Sequence, residues 1–129
     1  MKTMLISIII PCYNEEDRIG NTLEEIEAYV KTRKEKFEII IVDDGSKDRT
    51  IEVVEKFKNK LNLRILKNPE NKGKGYSVKS GMLASLGDYS LFMDADSSTS
   101  IRELNNFFPF FNKYDILIGS RHLKKHSIL

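Results

Sequence analysis

The chain has one cysteine in 129 residues. Cys12 therefore has no partner for an internal disulfide, and a multi-cysteine zinc site is excluded. With no histidine near it in sequence, Cys12 reads as a small buried side chain rather than a nucleophile. The two histidines, His122 and His126, stand one helical turn apart, but no third ligand accompanies them. An excess of one charge sign is also missing. Lysine and arginine total 21 against 19 aspartates and glutamates, a net charge of +2. That balance argues against a nucleic-acid binder, which would carry a concentrated basic surface. Long apolar runs are absent. The run near the start, Met4 to Ile10, is far short of the roughly 20 residues that span a bilayer. It has no small-residue cleavage site after it. These absences point to a cytoplasmic chain and leave open a peripheral contact at the cytoplasmic face of a membrane. No internal repeat, low-complexity tract or interdomain linker interrupts the sequence, so 1–129 reads as one domain.

What is present alternates. Met4–Ile10 is a nearly continuous apolar run, as in a strand covered on both faces, and Pro11 is expected to end it. Glu15-Glu16-Asp17 then places acid at a helix start, followed by Ile19, Leu23, Ile26 and Val30 at helical spacing. Phe37–Val42 reads as a second buried strand. Asp48 is placed to cap a helix whose apolar face is Ile51, Val54 and Phe57. Leu63–Leu66 is a third strand. Past the Asn71–Gly75 loop, Val78, Met82 and Leu86 mark a helix that Gly87 is placed to stop. Tyr89–Met93 is a fourth strand ending at Asp94. Ser100 and Glu103 form a capping-box signature before Ile101, Leu104, Phe108 and Phe111. Phe107, Phe108, Phe110 and Phe111 read as core rather than as a platform for bases. Asp115–Gly119 is a fifth strand, and 121–129 is a basic tail. Strands alternating with helices predict an α/β fold, a mainly parallel sheet with helices on both faces.

In such sheets ligands sit beyond the carboxyl ends of the strands, where strand order reverses. Polar residues gather at those ends: Tyr13, Asn14 and Glu15 after strand one, Asp43 and Asp44 after strand two, Asn68 to Gly75 after strand three, Asp94 and Asp96 after strand four, Arg121 after strand five. Asp94-Ala95-Asp96 sets two carboxylates about a small residue, a donor set that suits Mg²⁺ or Mn²⁺ with its shell completed by water and phosphate oxygens. An isolated Asp-x-Asp is usually only a turn, and the buried strand before it shifts the balance toward function. Asp43-Asp44-Gly45-Ser46 is explained equally well by an Asp-Gly turn or by carboxylates that accept hydrogen bonds from a base or ribose. Asn71-Lys72-Gly73-Lys74-Gly75 has the glycines and lysines of a phosphate cradle but matches neither the P-loop nor the dinucleotide fingerprint, and a solvated loop explains it as well.

Pro11-Cys-Tyr-Asn-Glu15, Val42-Asp-Asp-Gly-Ser46, Asn71-Lys-Gly-Lys-Gly75, Met93-Asp-Ala-Asp96 and Gly119-Ser-Arg121 together resemble the inverting family-2 glycosyltransferases of the GT-A, Rossmann-like fold. Within that family, Asp94-Ala-Asp-Ser-Ser-Thr-Ser100 followed by Ile101-Arg-Glu-Leu104 is most similar to dolichyl- or polyprenyl-phosphate β-glucosyltransferases. The resemblance implies transfer of a hexose, glucose favoured, from a nucleotide-diphosphate sugar to a lipid phosphate. UDP-glucose is the favoured donor, with GDP-mannose the second choice. It implies that Pro11, Tyr13, Asn14 and Glu15 line the nucleoside pocket and that Asp43 or Asp44, next to Val42, binds the base. Asp94 and Asp96 would handle metal and diphosphate, with Ala95 and Ser98 beside the donor. Lys72 and Lys74 would assist, and Arg121 would face a diphosphate or the acceptor phosphate. A phosphate acceptor is already ionised, so positioning and charge stabilisation matter more than a strong base. Family members usually continue past the Gly-Ser-Arg segment into an acceptor-binding region, so this chain is expected to be the donor-binding part. The alternatives are a nucleotide-sugar-binding module without turnover and a receiver-like domain. A receiver places its acidic pair after strand one, whereas here the pair follows strand two.

Overall fold

The computed structural model describes residues 3–111 and 113. The chain divides into two compact units, Met1–Thr99 and Ser100–Leu129. In the first, four strands, β1 (Leu5–Cys12), β2 (Lys36–Asp43), β3 (Leu63–Lys67) and β4 (Tyr89–Phe92), form one sheet in the order β3-β2-β1-β4. Every pairing is parallel. Three helices connect them: α1 (Ile19–Val30), α2 (Thr50–Glu55) and α3 (Lys74–Ala84). The expected fifth strand, Asp115–Gly119, lies outside the described residues, as does Arg121.

The central strands are apolar because both of their faces are covered. Ile6, Ile8, Ile9 and Ile10 of β1 and Ile40, Ile41 and Val42 of β2 are fully buried. Each such side chain contributes about 1.5–3 kcal/mol relative to leaving it in water. Right-handed crossovers put α1 and α2 on one face. The return crossover from β3 to β4 puts α3 on the other. Sequential strands therefore run outward from β1 to β3, and the chain then jumps back past β1 to add β4. The order reverses between β1 and β4, so the crevice expected of this topology opens there.

Pro11 does not end β1. It pairs in register with Val42, and the strand runs on to Cys12. Its effect falls on the other edge. The β1–β4 ladder closes with the Met93 N–H donating to the Ile9 carbonyl at 3.0 Å. In a parallel ladder the next rung on that side would need an N–H from residue 11, which proline lacks. The two strands part at the reversal point.

α3 differs from its apolar spacing. It stops at Ala84, leaving Leu86 exposed, and its fully buried residues are Ser77 and Gly81; of the expected apolar face, Met82 is partly buried against the Ile9–Ile40–Val42 cluster. A Cβ on Gly81 would come 2.4 Å from Ile9 Cγ2, so the helix lies against β1 at glycine distance. Gly87 is likewise not the helix stop. A Cβ there would meet Ser7 Oγ at 2.5 Å and the Tyr89 carbonyl oxygen at 2.7 Å. Its N–H donates to Ser7 Oγ at 2.9 Å. Ser7 in turn donates to Glu38, a carboxylate buried in β2 that also accepts from the Leu86 N–H and from Arg64. Burial alone would raise the Glu38 carboxyl; these donors and the Arg64 charge outweigh it and hold it below the usual value. The network ties the α3–β4 connection to the amino end of the sheet, opposite the crevice.

The acidic run 15–17 lies ahead of α1, which begins at Ile19 with no side-chain cap. Asp48 Oδ1 accepts the Thr50 N–H at 2.9 Å, as a cap would.

In the second unit, the segment expected as one α-helix is two 3₁₀ turns, Ile101–Asn106 and Phe108–Phe110. Pro109 breaks the segment after the first turn: it has no N–H to bond the Asn105 carbonyl, as an α ladder would require. Ser100 Oγ accepts from the Arg102 N–H, so the expected cap acts on a 3₁₀ turn. Phe111 is buried, and its ring lies 5.0 Å from that of Phe108.

Candidate functional site

A cleft of about 410 Å³ opens at the carboxyl ends of the strands. Four connections meet in it. Pro11, Cys12, Tyr13 and Glu15 come from the end of β1, and Asp44 follows β2. Asn71, Gly73, Lys74 and Ser77 come from the loop and first turn after β3, and Asp94, Ala95 and Asp96 follow β4. Of the expected site residues, Asn14, Val42, Asp43, Lys72 and Ser98 do not line it.

Each of those five has another place. Val42 is fully buried core. Asn14, with φ +52°, joins two loops: its N–H donates to Ser46 Oγ and its Oδ1 accepts from the Lys47 N–H, both at 2.9 Å. Lys72 pairs through Nζ with Glu70 at 3.0 Å. Asp43 is 3% exposed; its Oδ2 accepts from the Ser46 N–H, and its Oδ1 is buried without a partner. Ser98 braces both site aspartates. Its N–H donates to Asp96 Oδ1 at 2.9 Å and its hydroxyl to Asp94 Oδ2 at 3.2 Å.

The Asn71–Gly75 loop does cradle an anion, but the anion is the protein's own. The Lys72 N–H donates to Asp44 Oδ1 at 2.7 Å and the Gly73 N–H to Asp44 Oδ2 at 2.9 Å. Asn68 Nδ2 adds a third bond to Oδ1 at 2.8 Å and also reaches Ser77 Oγ. Burial alone would raise the Asp44 carboxyl; the three donors outweigh it and hold it below its ordinary value. A carboxylate has about four acceptor sites. Three are filled from the protein, and Asp44 faces the cleft.

At β4 the aspartate pair is held from three directions. Thr22 of α1, 1% exposed, donates its hydroxyl to the Ala95 carbonyl and accepts from Ser97 Oγ at 2.9 Å. Ser97 has φ +56°, so the chain turns sharply straight after Asp96. The Ser98 N–H is the main influence holding the Asp96 carboxyl below its ordinary value; burial opposes it, and the Arg18 charge adds a small lowering. Lys74 Nζ donates to Asp94 Oδ1. Arg18 is itself clamped to Glu15 by two bonds of 2.9 Å.

Thr22, Arg18 and Ser97 are not among the site residues that the sequence singles out. Thr22 had a visible signal: a hydroxyl on the apolar face formed by Ile19, Leu23 and Ile26. The others depend on contacts between loops that no spacing encodes. Cys12 lines the cleft but is 1% exposed. Burial above all, then the charges of Asp43, Glu15 and Asp48, pushes its thiol well above the usual range.

Among the described residues, the lining carries four carboxylates, Glu15, Asp44, Asp94 and Asp96, against one ammonium, Lys74. No group of three or more potential protein ligands for a metal occurs among the described residues. Two carboxylates completed by phosphate oxygens and water remain a standard Mg²⁺ arrangement. The donor set fits such an ion: Asp94 already holds a cation, the Lys74 ammonium, and Asp96 is held as the anion. An acidic cleft of this kind accepts a diphosphate only together with added positive charge.

The model for glycosyl transferase family 2 matches residues 7–128. A dolichyl-phosphate beta-glucosyltransferase of Dictyostelium discoideum is 37% identical, over 90% of this chain and 39% of its own length. Among solved structures, S. aureus TarS 1–349 in complex with UDP-GlcNAc superposes with a TM-score of 0.73 at 28% identity, covering 96% of this chain and 37% of that one. The glucosyl-3-phosphoglycerate synthase of Mycobacterium tuberculosis, solved with Mn²⁺, UDP and glucosyl-3-phosphoglycerate, superposes at 0.58 with 26% identity, over 71% of this chain and 33% of that one. The four-stranded parallel sheet and its helices are those of the GT-A glycosyltransferases. The chain spans about two fifths of the length of the curated relatives it matches.

Proposed function

The chain belongs to glycosyl transferase family 2, and from that membership we propose that its cleft is the donor half of an inverting, metal-dependent hexosyl transfer to a polyprenyl or dolichyl phosphate. UDP-glucose is the favoured donor, because relatives 35–37% identical to this chain are named as glucosyltransferases. One observation carries the reading: four strand-end connections converge where strand order reverses, and they bring Asp44, Lys74, Asp94 and Asp96 into one cleft.

The roles follow from position. Pro11 and Tyr13 flank the nucleoside, and Glu15, fixed by Arg18, faces the ribose. Asp44 rather than Asp43 reads the base, since Asp44 faces the cleft with an acceptor site to spare. Asp94 and Asp96 hold Mg²⁺ or Mn²⁺, braced by Ser98 and Thr22. When bound, such an ion neutralises the charge that develops on the departing diphosphate. The protein's own contribution is positioning: Thr22 and Ser98 fix the aspartates before the donor arrives, so no reorganisation is needed at the moment of transfer. An ionised phosphate acceptor needs no strong general base. Arg121, outside the described residues, is proposed to face a phosphate. No described helix is long and apolar enough to cross a membrane, and contact with the acceptor is proposed to occur at a membrane surface on the cytoplasmic side.

The test is calorimetry of UDP with and without Mn²⁺, repeated with Asp96→Ala. Metal-dependent UDP binding that is lost in the variant is the expected result. Metal-dependent binding that survives Asp96→Ala overturns the assignment. Glucose transfer to a polyprenyl phosphate would separate an enzyme from a binding module.

A further inference from the structure

Lys74 is placed unlike the other paired lysines. Lys31–Glu27, Lys58–Glu55 and Lys72–Glu70 join near neighbours in sequence. Lys74 instead reaches from the first residue of α3 to Asp94, beyond the end of a different strand. Its root is fixed, because the preceding Gly73 N–H is bonded to the buried Asp44. Its ammonium also stands over the Phe92 ring, Nζ 6.0 Å from the centroid. Its side chain is 57% exposed and that of Asp94 42%, so the head is free to swing into the cleft that both residues line. Asp94 does not depend on the lysine for its orientation, because Ser98 holds the other oxygen.

We propose that Lys74 is a built-in counter-cation: it occupies Asp94 while the metal position is empty and moves to the donor's diphosphate when a divalent cation takes that carboxylate. This rests on the donor-site reading given above. A divalent ion at Asp94 displaces the ammonium from its one carboxylate contact among the described residues, and the freed lysine stands in the same cleft as an incoming dianion. Binding of the cation alone is therefore opposed, and binding of cation and diphosphate together is favoured. The two ligands become coupled through one side chain, and the coupling is reciprocal. Because the pair is half exposed, the opposition is modest, about two- to fivefold in affinity.

The test uses the 129-residue chain with Lys74→Met and Lys74→Gln, both checked for an unchanged melting temperature. Free Mn²⁺ is followed by its electron paramagnetic resonance signal, first without nucleotide. Both variants are expected to bind Mn²⁺ about two- to fivefold more tightly than the parent chain, and to bind UDP at saturating Mn²⁺ at least severalfold more weakly. The opposite signs are the signature. Mn²⁺ affinity that is unchanged or weaker without nucleotide overturns the proposal, whether UDP binding falls, as for a lysine that serves only the diphosphate, or stays, as for a merely structural one. Failure of the parent chain to bind UDP with Mn²⁺ would instead remove the donor-site reading, and this inference with it.

Discussion

Replacing Asp44 by asparagine tests the physical account of the cleft at its most constrained residue. The carboxylate is 5% exposed and accepts from Asn68 Nδ2 and the Lys72 N–H on one oxygen and from the Gly73 N–H on the other. An amide keeps one acceptor oxygen. If it serves Asn68 and Lys72, its NH₂ group faces the Gly73 N–H, donor against donor. One charge-assisted bond is lost and two are weakened. Bonds to a charged group are worth about 1.5–3 kcal/mol each, so the net loss is about 2–4 kcal/mol. At about 4 °C per kcal/mol for a chain of this size, the melting temperature falls by about 8–16 °C. The pH dependence supplies an internal check. The Asp44 carboxyl in the folded chain lies below its ordinary value of 3.8. On acidification the unfolded chain takes up this proton first, so the stabilisation is complete well above 3.8 and is lost as pH falls through the folded value. The gap in melting temperature between parent and Asp44→Asn should therefore be widest at neutral pH and narrow below pH of about 4. Scanning calorimetry at a series of pH values measures both. A shift below about 2 °C at pH 7, or a gap that does not change with pH, would refute the claim that the loop is organised around an anion.

Two further outcomes follow from particular contacts. Thr22→Val keeps the shape but removes the donor to the Ala95 carbonyl and the acceptor for Ser97; it should cost about 1–3 kcal/mol in urea unfolding and weaken Mn²⁺-dependent UDP binding, and unaltered binding would show that the aspartate loop does not need α1. Cys12, buried with its thiol pushed up, should resist a disulfide reagent at pH 8 until the chain unfolds; rapid reaction of the folded chain would contradict its burial.

The four described strands are legible to within two residues. A parallel strand covered on both faces must be almost wholly apolar, which marks Met4–Ile10 and Phe37–Val42; the edge strands, partly exposed, show shorter runs, Leu63–Leu66 and Tyr89–Met93. α3 was not legible in the same way. Its deepest face is chosen by how closely Ile9 lets it approach, so Gly81 and Ser77 go innermost, with Met82 of the apolar spacing packed beside them. The spacing of Ile101 and Leu104 fits a 3₁₀ turn as well as an α-helix, and Pro109 ends any α ladder after Asn105. At the cleft, the strand-end rule located Tyr13, Asp44, Lys74, Asp94 and Asp96. It could not say that Asn14 ties two loops together, nor that the amides of Lys72 and Gly73 are occupied by Asp44. Those facts depend on which side chain meets which backbone group across loops far apart in sequence.

Pro11 sets the opening of the cleft by a group it does not have. Most pockets are widened by removing a side chain or inserting a loop; here a single missing hydrogen stops two strands from zipping further. An ordinary residue at this position would supply the donor that β4 lacks, and the sheet would gain a rung. The substitution would strengthen the sheet while narrowing the cleft between the nucleoside-side residues and the aspartate pair. It would be a mutation that harms binding by improving the fold, and a stability screen alone would score it as a success.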